Sequence, residues 1–84
     1  MAERYPKETL RDQRGREVQP RSARQRAKLE ALRRTHPGRL LLLSQDEDGT
    51  VRFSLRLAYR HGRPREPAAG TISPQGQLRW LRPG

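Results

Sequence analysis

Cysteine is absent from this chain of 84 residues. Its absence excludes disulfide bonds and thiolate zinc sites, which often stabilise domains too small to bury a large core. Long apolar runs are absent too. None approaches the roughly 18 residues of a membrane span, and the charged N-terminus lacks the apolar segment of a signal peptide. We therefore expect a soluble, cytoplasmic protein with no membrane partner.

Aromatic residues and catalytic signatures are also scarce. The sequence has one Trp, one Phe and two Tyr, and it contains no phosphate-binding loop, no Gly-x-Ser-x-Gly elbow and no HExxH pair. The acidic segment 46–49 lacks the alternating ligands and distal glutamate of a calcium loop, so it predicts a turn. We expect no metal site, no cofactor and no enzymatic activity.

Positive charge, by contrast, is abundant. Nineteen Lys and Arg residues against nine Asp and Glu residues give a net charge of +10. The excess is +6 over residues 1–38 (11 basic, 5 acidic) and +4 over residues 39–84 (8 basic, 4 acidic), so it is not confined to a tail. A compact domain that sustains this self-repulsion is typical of proteins that bind nucleic acid or another polyanion.

Residues 1–21 are predicted to form a flexible basic arm. Apart from Met1, their only large apolar residues are Tyr5, Leu10 and Val18, too few to hold the segment on a core. Pro6 and Gly15 would bracket a short helix over residues 7–14, but that helix has no apolar stripe to bury. We interpret the segment as an arm that becomes ordered on a partner.

A helix is predicted over residues 23–34. Ser22 is a favourable N-cap, helix-forming residues follow, and His36-Pro37-Gly38 terminates the segment. On a helical wheel Gln25, Leu29, Leu32 and His36 share one side, on which the apolar stripe is narrow.

Residues 50–60 alternate between apolar and polar side chains, the pattern of a strand with one face on a core and one in water. Residues 39–45 precede them across the acidic turn and predict the partner strand of a hairpin. If the loop is residues 46–49, Leu40 and Leu42 face the core. A one-residue bulge would instead turn Leu41 and Leu43 inward.

Residues 61–70 contain two Gly and two Pro and predict a loop, whereas residues 71–73 and 77–82 predict a second hairpin around a type I turn. The sequence thus predicts an α+β domain over residues 22–84, with one N-terminal helix followed by a three- to four-stranded antiparallel meander. The predicted core consists of Leu29, Leu32, Leu40, Leu42, Val51, Phe53, Leu55, Leu57, Tyr59, Ile72, Leu78 and Trp80.

The polar face of the predicted strand 50–60 carries an arginine at every fourth position. Arg52, Arg56 and Arg60 would stand in a row, each about 13 Å from the next, and such a face can neutralise several phosphates. A sheet face kept soluble by arginine is the alternative interpretation. With the following loop and the helix included, the candidate nucleic-acid-binding residues are Arg52, Arg56, Arg60, Arg63, Arg65, Arg24, Arg26, Arg33 and Arg34.

We interpret the chain as a small basic, non-enzymatic protein that holds the phosphate backbone of DNA or RNA through the arginine face, with the helix and arm as clamps. A second hypothesis is a regulatory or assembly protein that docks on an acidic surface of a larger machine such as a polymerase or a ribosome. A third is a toxin-like ribonuclease with His36 and His61 as acid and base. The sequence leaves monomer and homodimer open.

Overall fold

The computed structural model of the chain describes residues 9–57, 61–63 and 66–82. Within these ranges it contains one helix and four strands, in the order α1 (Ala23–Thr35), β1 (Leu40–Gln45), β2 (Val51–Leu55), β3 (Ala68–Ile72) and β4 (Leu78–Arg82). The strands form an antiparallel sheet with the order β1-β2-β3-β4. The predicted α+β arrangement, a helix followed by an antiparallel meander, is confirmed.

Helix α1 begins at the predicted position and ends one residue after the predicted terminus. Ser22 has extended backbone, and its Oγ accepts the N–H of Gln25 at 3.1 Å, as an N-cap does. The same hydroxyl donates to the carbonyl of Pro74 at 2.6 Å, so the cap also ties the helix to the second hairpin. Leu29 and Leu32 are buried in the core that α1 shares with the sheet.

Gln25 is the fully buried polar side chain at which α1 meets both hairpins. Its Nε2 donates to the carbonyls of Gly49, Ile72 and Ser73 at 2.9, 3.1 and 3.1 Å. Its Oε1 accepts the backbone N–H of Arg21 at 2.7 Å. Because two amide hydrogens serve three carbonyls, one hydrogen is shared. This side chain therefore connects the first helical turn with both hairpins.

Both hairpins close through the same kind of turn. In the first, the N–H of Gly49 donates to the carbonyl of Asp46 and the N–H of Asp46 donates to the carbonyl of Thr50. Gly49 has φ +93°, which is the type I turn followed by a left-handed glycine that closes three-residue loops. The segment Ser73–Gly76 repeats the arrangement, so the turns predicted at both places are confirmed.

The three-residue loop changes which leucines of β1 enter the core. Leu43 pairs with Phe53 and is 5% exposed, whereas Leu42 is 51% exposed. The assignment of Leu42 to the core is therefore wrong, because the loop is one residue shorter than the predicted four. A bulge between Leu40 and Leu42 then restores the inward direction, so that Leu40 is buried opposite Leu55.

Strand β2 is shorter than predicted and β3 begins earlier. β2 ends at Leu55 rather than at residue 60, and β3 begins at Ala68, inside the predicted loop. Gly70 of β3 pairs with Phe53, and a Cβ at Gly70 would lie 2.6 Å from the Phe53 ring. Gly70 leaves room for this ring within the strand, so the small-residue composition that predicts a loop over residues 68–70 is misleading.

The core is formed by side chains from α1, from β1 to β3 and from the N-terminal segment. The cluster comprises Leu10, Leu29, Leu32, Leu40, Leu43, Val51, Phe53, Leu55 and Ile72, with Val18 and Leu78 partly buried against it. Trp80, predicted as a core residue, lies on the edge strand β4 and is 40% exposed. Its ring meets that of Phe53 edge-on at 5.3 Å. Leu57 is half-buried, and Tyr59 lies outside the described residues.

Residues 9–21, which the sequence assigns to the arm, contact the sheet. Leu10 is 3% exposed within the core cluster. Next to it, Arg11 pairs in parallel with Ser44, and its carbonyl accepts the N–H of Gln45 at 2.8 Å. The helix considered over residues 7–14 is wrong for the described part, residues 9–14, because Leu10 enters the core and Arg11 pairs with a strand edge. Residues 1–8 lie outside the described residues.

Replacement of Gln25 by Ala is expected to destabilise the domain by about 2–4 kcal/mol, because it leaves a partly buried N–H and several carbonyls without their side-chain partner. Urea unfolding monitored by circular dichroism measures this loss. Gln75→Ala, at an exposed turn position, is the matched control and should change stability by less than about 0.5 kcal/mol. Equal losses in the two variants would contradict the role given to Gln25.

Asp12 gives the stability of the N-terminal segment a pH dependence. The backbone N–H of Arg16, above all, together with that of Arg14 and the Arg16 side chain, lowers the pKa of Asp12 from its ordinary value of 3.8. A pKa that folding lowers stabilises the native state above pH 3.8, and this contribution is lost as the pH falls through the lowered pKa.

The melting temperature should therefore fall less steeply in Asp12→Asn than in the unmodified protein as the pH is lowered below about 4. Melting curves followed by circular dichroism between neutral and acidic pH measure the difference. Glu47→Gln is the control, because within the described residues the Glu47 carboxylate accepts no hydrogen bond. Parallel curves for Asp12→Asn and the unmodified protein would contradict the assignment.

Candidate nucleic-acid interface

One face of the sheet lies away from the core, and we refer to it as the open face. In β2, Val51, Phe53 and Leu55 are buried, so Arg52 and Ser54 point to the opposite side. Residues that lie opposite each other on neighbouring strands share a face of the sheet. The strand partners of Arg52 and Ser54 in β1 and β3, and the β4 partners of those β3 residues, therefore lie on the same side. The open face thus consists of Leu42, Ser44, Arg52, Ser54, Ala69, Thr71, Arg79 and Arg82.

Three exposed arginines stand on the open face. Arg52 and Arg79 both flank Thr71 in the register, and Arg82 pairs with Ala69. With strands about 4.8 Å apart and about 3.3 Å per residue, the three Cα atoms lie roughly 10–12 Å from one another. The side chains between them are short, so the guanidinium groups project beyond the rest of the face.

Arg52 forms an ion pair with the carboxylate of Asp46. Its Nε lies 2.8 Å from Oδ2 of Asp46, and its side chain remains 56% exposed. Within the described residues the Nε makes this contact and neither terminal amino group donates a hydrogen bond. Gln13 also donates to Asp46, at 3.3 Å. The ion pair positions Arg52 and reduces, but does not remove, the positive potential at this corner.

The predicted row of arginines is only partly present in the sheet. β2 ends at Leu55, so Arg56 lies just past the ladder, exposed, with its backbone N–H donating to the carbonyl of Arg39 at 2.7 Å. Arg63 is exposed in the following loop. Arg60 and Arg65 lie outside the described residues. Of the predicted row, Arg52 alone is shown on the open face.

Arg79 and Arg82 complete the open face, and the sequence analysis did not select them. Arg79 alternates with Leu78 and Trp80, which is the signal that could have identified it. The position of Arg82 depends on a bulge in the pairing of β3 with β4, between Ala69 and Gly70. No local pattern indicates that bulge, so the partner strand decides where Arg82 points.

The helix arginines belong to the other side of the domain. Because Leu29 and Leu32 pack on the core face of the sheet, the exposed side of α1 faces away from the open face. The exposed Arg26 and Arg34 therefore lie in the helix layer, and Arg24 lies next to Gly76 of the second turn. Arg33 is half-buried. The predicted role of the helix and the arm as clamps for a ligand on the sheet stays a prediction.

The two histidines lie on different elements, His36 at the C-cap of α1 and His61 in the loop after β2. His36 is half-buried, and its ring Nδ1 lies 3.0 Å from the hydroxyl of Thr35, which also donates to the carbonyl of Ala31. His61 is exposed at a turn with φ +54°. Within the described residues no carboxylate hydrogen bonds to either ring.

The part of the chain that the structure describes contains no group of three or more His, Cys, Asp or Glu residues arranged to hold a metal ion. In the same residues no helix is long and apolar enough to cross a membrane; α1 has 13 residues. Trp80 is on the core side of the sheet, because it pairs with Gly70 and meets Phe53. Its ring is therefore turned away from the open face.

No family model, no curated protein and no solved structure matches this chain. Function is therefore inferred from the charges and geometry of the described residues. The open face is the feature that combines exposed cations, short intervening side chains and a rigid strand framework.

Proposed function

We propose that the protein is a small non-enzymatic nucleic-acid-binding protein that holds the phosphate backbone of DNA or RNA on the open face of its sheet. The observation that carries this proposal is the group of Arg52, Arg79 and Arg82, projecting from strands whose intervening side chains are Ser, Thr and Ala. The short side chains let a polyanion approach the sheet closely. Arginine suits such a ligand because its planar fork donates to two phosphate oxygens at once.

The composition of the open face favours backbone contacts over base recognition. Among the described residues this face carries no aromatic side chain, whereas proteins that bind unpaired bases stack them on aromatic rings. Its apolar contribution is the exposed Leu42 at the β1 side. The net charge of +10 adds a long-range attraction that steers any polyanion to the protein.

The arginines of α1 have a secondary role in this proposal. They lie in the opposite layer, so they contribute to the overall field and to contacts with a second segment of a long nucleic acid. This difference in position allows the open face to be tested against total charge, because equal numbers of arginines can be removed from the two layers.

Arg79→Ala combined with Arg82→Ala is expected to weaken binding to generic duplex and single-stranded oligonucleotides. Each lost phosphate contact lowers the slope of log K against log salt by about 1, so the double variant should lower it by about 2. Fluorescence anisotropy between about 50 and 200 mM salt measures both quantities. Comparison of DNA with RNA of the same sequence identifies the preferred nucleic acid.

The control for this variant is Arg26→Ala combined with Arg34→Ala, which removes the same charge from exposed positions of α1. It should retain most of the affinity of the unmodified protein. Equal losses in the two double variants would assign binding to total charge. Unchanged binding in the sheet variant would remove the open face from the proposal.

Asp46→Asn should strengthen binding, because the carboxylate beside Arg52 competes with phosphate for its guanidinium. Asn keeps an oxygen that accepts from Gln13, and the backbone hydrogen bonds of residue 46 that close the turn are unaffected by the change. The same anisotropy titration at low salt should give a lower Kd for Asp46→Asn than for Glu47→Gln, which removes an equal charge from the exposed neighbouring residue. A Kd that is equal in both variants would show that local ion pairing is unimportant.

A further inference from the structure

Within the described residues, the N-terminal segment pairs with one edge of the sheet and the other edge is unpaired. At the β1 edge, the backbone of Arg11 pairs with the strand, and its carbonyl accepts the N–H of Gln45 at 2.8 Å. Among the described residues no segment pairs with the outer side of β4, which the sheet order places at the other edge. An open edge presents unpaired donors and acceptors to any extended chain.

The register shows which backbone groups of β4 point outward. The N–H of Ser73 donates to the carbonyl of Gln77 at 2.9 Å, so these two residues form a hydrogen-bonded pair. Such pairs alternate with non-hydrogen-bonded pairs along an antiparallel ladder. The backbone of Arg79 therefore faces β3, and the N–H and carbonyl groups of Leu78 and Trp80 face away from the sheet.

The same alternation holds at the covered edge, where it can be checked. Asp46 and Thr50 form the hydrogen-bonded pair next to the first turn, which predicts that the N–H of Gln45 points outward from β1. That N–H is the one that donates to Arg11. At the covered edge, the outward-pointing N–H of β1 is thus hydrogen bonded by an added segment of backbone.

The side chains beside the open edge are apolar on one face and cationic on the other. Trp80, on the core side of the sheet, is 40% exposed. Arg79 and Arg82 are exposed on the open face of the same strand. An added strand therefore has a ring to pack against on one side and two guanidinium groups to pair with on the other.

We propose that the outer edge of β4 binds an extended acidic segment of a partner protein by strand addition. Residues of that segment alternate, with carboxylates toward Arg79 and apolar side chains toward Trp80. A second copy of this chain does not fit, because pairing two β4 strands would bring arginines of both copies together and join two chains of net charge +10. This site does not depend on nucleic-acid binding.

The probe is a short, capped peptide of alternating Glu and Val, titrated into the full chain and followed by NMR hydrogen exchange. Peptide binding should slow exchange of the Leu78 and Trp80 amides, while the Arg79 amide, already directed at β3, serves as the internal reference. Two N-methylated peptides test the backbone contacts. For antiparallel addition, methylation of the Val amides should weaken binding about tenfold or more, and methylation of the Glu amides should have little effect.

Two variants with the same change in net charge complete the test. Arg79→Glu should abolish binding of the acidic peptide, and Arg34→Glu, on the exposed side of α1, should leave it nearly unchanged. If both methylated peptides bind as well as the parent, charge attraction alone explains the interaction and strand addition is overturned. If, without peptide, the Leu78 and Trp80 amides exchange more slowly as the protein concentration rises, a second copy of the chain occupies the edge. That result would overturn the proposal of an acidic partner. Absence of any peptide binding would overturn the site.

Discussion

The amide of Gln25 determines how the two layers of this domain are joined. It is fully buried, and it hydrogen bonds to the first turn of the sheet, to the end of β3 and to the residue before the helix cap. An unmet hydrogen-bonding group inside a core this small would cost a large part of the folding free energy. The helix is thereby fixed by its N-terminal turn to both hairpins, and its leucines are directed onto the inner face of the sheet.

That fixed arrangement divides the positive charge of the protein between two surfaces. The helix covers one face of the sheet, so its exposed arginines and those of the open face cannot meet on a flat ligand. The two edges of the sheet also differ. The N-terminal segment pairs with β1 through Arg11, whereas within the described residues nothing pairs with the outer side of β4. Strand β4 therefore contributes both to the open face and to an available edge.

Local signals predicted the elements well, because each depends on residues close in sequence. The Ser22 cap, the His-Pro-Gly stop and the two turns with glycine in fourth place require only short-range sterics and hydrogen bonds. The start of β3 was predicted too late because Ala-Ala-Gly has no strand pattern of its own. Gly70 leaves space for the Phe53 ring, which only the packing of the sheet reveals. Leu10 is a similar case: one leucine gives no periodicity, yet it completes the core.

The sequence by itself determined the fold class, the positions of the helix and the turns, the excess of positive charge and the exposure of Arg52, since alternation and capping are local properties. Only the tertiary structure decided which leucine of β1 is buried, and that Arg79 and Arg82, rather than a row along β2, share the open face with Arg52. Register and bulges depend on the length of a loop and on the partner strand. A shift of one residue reverses every side chain, which is why the surface could not be derived from composition and spacing.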